Sequence, residues 1–371
     1  MKKRILVLAG TRPEVIKLAP VVRELRSRPA QFDTVYCSTG QHREMLDQAN
    51  DVFGLSPDMD LGIMAPGQQL ASLTSMLYTE IDRAIEKTQP DAVIVQGDTT
   101  SASVGAMCAF YRRLIVGHVE AGLRTRNVYS PFPEEVNRRI IGVVATHHFA
   151  PVERARQNLL REGVDPASVF LTGNTVVDAL QWIVSQQSGR STSEELEAAL
   201  DGQRLVLMTS HRRESFGRGL ANTCSAVLQL VESHADVTVV YPVHLNPNVR
   251  EPVADALGHH PRIHLIPPVS YSALLGLMQK AYIILSDSGG IQEEAPSLAK
   301  PLLVLRDTTE RPEAVEAGCA RLVGTDPDVI LKNAEELLTD RNAYAEMSRG
   351  ANPFGDGQAA RRIADILADA E

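Results

Sequence analysis

Residues 281–298 read AYIILSDSGGIQEEAPSL. Tyr282–Leu285 is a short apolar run of the kind that forms a buried parallel strand. It breaks at Ser286-Asp287-Ser288-Gly289-Gly290, and a helix starts at Ile291 with Glu293 and Glu294 in its first turn. A glycine-rich strand-to-helix turn presents bare backbone N–H groups and the positive end of a helix dipole to a phosphate, and its missing Cβ atoms let the ligand come close. Glu294, one turn further in, has the reach to hold ribose hydroxyls. The plain alternative is an ordinary helix capped by Ser288.

The same alternation of short apolar strand and amphipathic helix runs through the chain. Strands are predicted at Ile5–Ala9, Thr34–Cys37, Ala92–Val95, Leu114–Val119, His148–Ala150 and Val169–Leu171. The helices between them show one apolar face, as in Val15, Leu18, Val22 and Leu25, or Leu70, Leu73, Leu77, Ile81 and Ile85. After a helix carrying Trp182 and a polar passage at Ser188–Gln203, strands recur at Leu205–Met208, Val237–Val240, Ile263–Ile266, Ile283–Leu285 and Leu302–Leu305. This pattern predicts an α/β protein with two Rossmann-like parallel-sheet domains facing across a cleft. A length of 371 residues suits two domains, and 44% hydrophobic residues suffice for two cores. The expected division is 1–170 and 171–354. The last helix, Gln358–Ala370, is compatible with either half and is assigned, as about 355–371, to the first.

A net charge of −9 and the lack of any basic block argue against nucleic acid as a partner. Cys37, Cys108, Cys224 and Cys319 are far apart and form no C-x-x-C, so they read as reduced, buried thiols. The apolar run after Met1-Lys2-Lys3-Arg4 is too short for a signal peptide, and no segment approaches a membrane span. A cytoplasmic protein is expected. The first strand-to-helix turn, Gly10-Thr11-Arg12-Pro13-Glu14, is not G-x-G-x-x-G, which disfavours NAD. Walker A, G-x-S-x-G and H-E-x-x-H sequences are absent too.

Polar residues gather where the predicted strands end, the ligand-binding edge of an open α/β sheet. Ala92–Val95 runs into Gln96-Gly97-Asp98-Thr99, and Leu114–Val119 into Glu120. The loop Ser130-Pro131-Phe132-Pro133 ends in Glu134-Glu135 at a helix start. Converging carboxylates raise one another's pKa and so supply an acid and a base near neutrality. The alternative for Asp98, Glu120 and Glu134 is capping, or pairing with Arg124, Arg126, Arg138 or Arg139. The second half supplies cations at its strand ends, in His211-Arg212-Arg213, His244, Arg306 and Arg311. A His beside two Arg is suited to a diphosphate.

Together, His118-Val119-Glu120-Ala121-Gly122-Leu123-Arg124, Ser130–Glu135, His211–Glu214, Ser288–Pro296 and Arg306–Glu313 resemble the signatures of the non-hydrolysing UDP-N-acetylglucosamine 2-epimerases, in order along the chain. The resemblance implies a GT-B arrangement, a homodimer, a UDP-sugar substrate and neither cofactor nor metal. By family pattern Arg12, Lys17, Asp98, Glu120, Glu134 and His211 fall at the reacting end. Ser288, Gly289, Gly290, Glu294 and Arg311 fall on the UDP, and Val269 and Leu274, within Pro267–Leu274, on the uracil side. Arg126 stands where relatives often have Gly, and Gln96 replaces a common His. The matching residues of an effector site for a second UDP-GlcNAc are Gln41, Gln68, Glu134, Arg212 and His244. Gly67 stands there for the usual Arg and Glu44 for the usual Gln, so weak activation is expected.

The chemistry needs no dinucleotide. The sugar C2 proton has no adjacent carbonyl, so direct removal would leave an unstabilised carbanion. Expelling UDP from C1 while a carboxylate takes that proton gives 2-acetamidoglucal, and UDP then re-adds as a proton reaches the other face. The C1–O cleavage has oxocarbenium character that carboxylates stabilise. Other readings are a hydrolysing relative releasing ManNAc and UDP, a GT-B glycosyltransferase, and a nucleotide-sugar-binding regulator. The co-occurrence of Asp98, Glu120, Glu134 and His211 argues against the last.

Overall fold

Ile5, Leu6, Val7 and Leu8 are sealed from solvent within β1 (Lys3–Ala9), which therefore has apolar contacts on both faces, as a central parallel strand must. The computed structural model describes residues 2–40, 43–63, 67–186, 194–210, 217–349 and 352–370, with the side chains of 43–45 and 194–195 excepted. The chain divides into two compact units, Met1–Ile183 with Phe354–Glu371, and Val184–Pro353.

In the first unit β1 is joined by β2 (Phe32–Ser38), β3 (Met59–Asp60), β4 (Ala92–Gln96), β5 (Ile115–Val119), β6 (His147–Ala150) and β7 (Val169–Leu171). The order is β3-β2-β1-β4-β5-β6-β7, and every pairing is parallel. The chain thus winds outward from β1 in both directions, leaving a switch point between β1 and β4. Helix Arg12–Ser27 buries Val15, Leu18, Val22 and Leu25, and helix Leu70–Thr88 buries Leu73, Leu77, Ile81 and Ile85, whereas Leu70, expected on the same face, sits at the helix start and is exposed. The C-terminal helix Ala359–Asp369 packs on Arg12–Ser27. Asp178 accepts the backbone N–H groups of Ala359 and Ala360 at that helix's start, and Arg28 pairs with Asp365.

The second unit repeats the plan with β8 (Arg204–Thr209), β9 (Val237–Pro242), β10 (Ile263–Ile266), β11 (Ala281–Ser286), β12 (Leu302–Val304) and β13 (Ala320–Leu322). Their order, β10-β9-β8-β11-β12-β13, is again all parallel, with the switch point between β8 and β11. The two-domain Rossmann-like α/β fold read from the periodicity is the fold observed. β3 and β13 were not expected: at two and three residues they carry no apolar run, and pairing to β2 and β12 defines them. All four cysteines are buried free thiols. No helix among the described residues is long and apolar enough to cross a membrane.

Candidate functional site

Each unit carries its candidate residues at the C-terminal ends of its strands. In the first, Glu120 follows β5 with a left-handed backbone, φ +64°. A non-glycine residue held there is strained, and such strain persists where surrounding contacts over-determine it. Here Lys17 Nζ donates to Glu120 Oε1 at 2.5 Å, and Gln96 Nε2 donates to Oε2. Glu120 is 8% exposed, and Gln96, in the place of the family's common His, is buried beside it.

Asp98 lies on the turn after β4. Arg138 donates to its Oδ2 at 2.5 Å, and Asn137 Nδ2 to its main-chain carbonyl at 2.9 Å. Pairing with Arg138 was the alternative considered for this group, and it occurs. Glu134 behaves differently: its Oε2 is buried with no hydrogen-bond partner among the described residues. Its neighbour Glu135 takes the structural work instead. Burial alone would raise the Glu135 pKa, but the N–H groups of Thr125 and Arg126 and the guanidinium groups of Arg138 and Arg139 outweigh it and hold the carboxyl below the usual range. Arg124 pairs with Glu162. Arg12 is exposed and makes no hydrogen bond or ion pair among the described residues.

Two buried groups behind these turns, His118 and Glu14, are quoted in the sequence motifs without a role of their own. His118 Nε2 donates to the Gly97 carbonyl at 2.7 Å, so the ring is the Nε2–H tautomer. Burial drives its pKa down to about 3, which keeps it neutral and makes it a brace rather than a proton carrier. Glu14 is 1% exposed and accepts from Gly10 N–H, Thr11 Oγ1 and Thr99 Oγ1. Burial lifts its carboxyl to about 7 against those hydrogen bonds. Thr11-x-x-Glu14 has the spacing of a capping box, which is the signal that could have marked it.

In the second unit the Ser288-Gly289-Gly290 turn leads from β11 into helix Gly289–Glu294. Ser288 occupies the N-cap position, yet its side chain makes no capping hydrogen bond. The ordinary capped helix is therefore not what is found. A Cβ built on Gly290 would meet only Ser288 Oγ, at 3.8 Å, so packing within the protein does not demand glycine there. An absent side chain that the fold itself could accommodate leaves room for a ligand. Glu294 Oε1 accepts from Tyr271 Oη at 2.9 Å, and Arg311 Nε donates to Glu293, which is 2% exposed. Arg311 is thus anchored by a carboxylate of the glycine-turn helix, and its backbone N–H is fixed by Thr309 Oγ1 at 2.9 Å. Val269 and Leu274 are half-buried around the start of helix Tyr271–Lys280.

The effector candidates are described only in part. Arg212 and Gln41 lie outside the described residues, as does the Glu44 side chain, and so does His211 of the candidate catalytic set. Gln68 Nε2 donates to Met76 Sδ, and exposed His244 accepts the Asn246 N–H on Nδ1. Gly67 has φ +68°, so the arginine found there in relatives would be strained on this backbone.

A family model described as UDP-N-acetylglucosamine 2-epimerase matches residues 23–368. A UDP-N-acetylglucosamine 2-epimerase of Escherichia coli K12 is 51% identical over 98% of both chains. The crystal structure of a UDP-N-acetylglucosamine 2-epimerase described as putative, from Listeria monocytogenes, superposes with a TM-score of 0.94 at 46% identity, covering 99% of this chain and 96% of the other. The UDP-GlcNAc 2-epimerase of Neisseria meningitidis, solved with UDP-GlcNAc bound, gives 0.88 at 43% identity, covering 99% and 100%. With a match along nearly its whole length, this chain belongs to the UDP-N-acetylglucosamine 2-epimerase family.

Proposed function

We propose that the chain is an isomerase that reversibly interconverts UDP-GlcNAc and UDP-ManNAc by eliminating and re-adding UDP. The observation that carries the proton chemistry is the contrast between Glu120, both of whose oxygens are engaged, and Glu134, whose buried Oε2 is unengaged. A buried carboxylate oxygen without a partner is costly to keep unless a substrate supplies the missing group. In the forward half-reaction a carboxylate of the Asp98, Glu120 and Glu134 set takes the C2 proton as the C1–O bond breaks. The electron pair left at C2 forms the C1=C2 bond of 2-acetamidoglucal, and UDP departs with the pair of the C1–O bond. Re-addition of UDP at C1, with a proton delivered to the opposite face of C2, completes the inversion. Arg12, His211, Arg311 and the Ser288-Gly289-Gly290 turn are assigned to the diphosphate charge, with Glu294, Val269 and Leu274 on the nucleoside. The motif resemblance supports those assignments, and the uncapped Ser288 hydroxyl is compatible with a ligand contact.

The reading includes a cytoplasmic location and a homodimer. Three neighbouring helices of the first unit, Leu70–Thr88, Thr100–Tyr111 and Glu134–Val144, carry exposed Met76, Phe110, Tyr111, Val136, Ile140 and Val143. A second copy of this chain would cover such an apolar face. The reading also includes weak stimulation by UDP-GlcNAc as effector, because Gly67 lacks the usual cation.

A proton NMR time course with UDP-GlcNAc in D2O tests the activity. The expected result is UDP-ManNAc formation with deuterium at C2 of the product and of recovered substrate. Free ManNAc as the accumulating product would assign the chain to hydrolysis instead, and full retention of protium would refute solvent-exchanging proton transfer.

A further inference from the structure

We propose that Glu14 is a positioning residue for the reaction, fastening the turn that carries Arg12 to the turn that carries Asp98. The proposal rests on the reading of those two residues as parts of the reacting end. A local capping box would employ Glu14 only within its own helix start. Here Oε2 does that, accepting Gly10 N–H at 3.0 Å and Thr11 Oγ1 at 2.8 Å. Oε1 instead reaches across the switch point to Thr99 Oγ1 at 2.7 Å, 85 positions away in sequence.

Thr99 Oγ1 also accepts the N–H of Ala102 at 3.0 Å as the cap of helix Thr100–Tyr111, which leaves its own proton available to the ionised Glu14 carboxylate. Thr99 is the neighbour of Asp98, and Glu14 lies two residues after Arg12. The seam is tight. A Cβ on Gly10 would come within 2.4 Å of Thr39 Oγ1 and 2.6 Å of Ser101 Oγ, and those two oxygens bond each other at 3.0 Å. On its other side the Asp98 turn is braced by His118 and Asn137. Glu14 alone among these groups couples it to the Arg12 turn, and a shift of about 1 Å at a reacting group has consequences on the order of a hundredfold in rate.

The test uses the full chain with Glu14→Gln, Thr99→Val and Thr99→Ser, alone and combined. Glu14→Gln keeps one acceptor oxygen where two served, so it cannot accept from Thr99 and from Gly10 N–H together; it and Thr99→Val should each lower kcat by roughly tenfold or more, with KM changing far less, because alignment rather than binding is lost. Thr99→Ser retains the hydroxyl and should turn over at the wild-type rate. The double variant Glu14→Gln/Thr99→Val should be no slower than the slower single variant, the signature of two residues acting through one bond. Multiplying losses, or normal kcat in either single variant, would overturn the proposal. If Glu14→Gln does not fold, the Thr99→Val and Thr99→Ser pair decides it alone. Asp98→Asn is the separate control. Normal turnover there would remove Asp98 from the chemistry, while a dead Asp98→Asn beside normal Glu14→Gln would refute only the positioning role.

Discussion

The strand ends of the two units solve different problems with the same topology. After β1, β4 and β5 the first unit builds its site from side chains, each fixed by another across the sheet: Lys17 on Glu120, Arg138 on Asp98, His118 under Gly97, Thr99 on Glu14. After β11 the second unit offers backbone and small residues, with Arg311 anchored to Glu293 behind them. The proposed reading gives proton transfer at carbon to the first half, and acids and bases held in place by long-range polar bonds suit that task. The same reading gives the diphosphate to the second half, whose small residues and backbone N–H groups suit an anion. Variants of the first half should therefore act on turnover, and variants of the second on nucleotide affinity.

Glu120→Gln puts the largest strain on that division. The amide can still accept from Lys17, and Gln96 can turn its own amide to present oxygen to the new NH2, so the local packing survives. Loss of an acid–base group typically lowers the rate about a hundred- to ten-thousandfold, while UDP affinity measured by calorimetry should stay near wild type. Near-normal turnover in a folded Glu120→Gln would take Glu120 out of the chemistry.

Glu14→Gln exposes the first half's dependence on burial. The Glu14 carboxyl rises from 4.5 to about 7 on folding, so between those pH values the folded protein keeps a proton that the unfolded chain has lost. The stabilising share is complete below pH 4.5 and fades as pH climbs through about 7. It corresponds to about 3 kcal/mol at 1.36 kcal/mol per pKa unit. Wild type should lose that much relative to Glu14→Gln between pH 4.5 and 7. Trp182, the one tryptophan, packs against Phe53 and Arg23 in the first unit, so its fluorescence during urea unfolding reports the relevant transition. A pH-independent difference between the two proteins would show that Glu14 is ionised throughout.

Ser288→Ala addresses the second half. Its hydroxyl caps nothing, so its removal should leave stability unchanged. If it meets a phosphate oxygen, UDP binding should weaken by about 1.5–3 kcal/mol, roughly ten- to a hundredfold, with little effect on bound-state turnover. Unchanged UDP affinity would place the nucleotide elsewhere. Arg311→Ala is a poorer probe, because it also removes the ion pair that Arg311 makes with the buried Glu293 carboxylate.

Much of this is legible in the amino-acid sequence, and the limits have physical causes. Apolar runs such as Ile5–Ala9 and Ile283–Leu285 are too short for buried helices and are bounded by turn residues, so they read as buried strands and the sheets follow from them. β3 and β13 do not, because Met59–Asp60 and Ala320–Leu322 owe their form to the neighbouring strand's register. Asp98, Glu120 and Glu134 can be placed at strand ends by counting, but that Asp98 is paired and Glu134 Oε2 unpaired depends on side-chain directions. Glu14 has the spacing of a local helix cap, since the partner that changes its meaning is Thr99, brought to it only by the β1–β4 pairing.

The smallest expected effect separates strain that serves the site from strain that does not. Glu120 and Arg126 share φ +64° in the stretch between β5 and helix Glu134–Val144, and each L-residue held there is disfavoured by about 1–2 kcal/mol. At Glu120 the side chain is held on this backbone by its bonds to Lys17 and Gln96. Arg126 is exposed, and its structural contribution is a backbone N–H given to Glu135 Oε1 at 3.1 Å, which any residue but proline retains. Glycine, common here in relatives, adopts this φ freely but makes the unfolded chain more flexible by about 0.4–1 kcal/mol. Arg126→Gly should therefore stabilise the first unit by a net of about 0.5–1 kcal/mol, with turnover within about twofold of wild type. Arg126→Ala is the discriminating control, because it removes the same side chain and keeps the strain. Equal stability of the glycine and alanine variants would mean that the guanidinium, and not the backbone, sets the energetics of this loop.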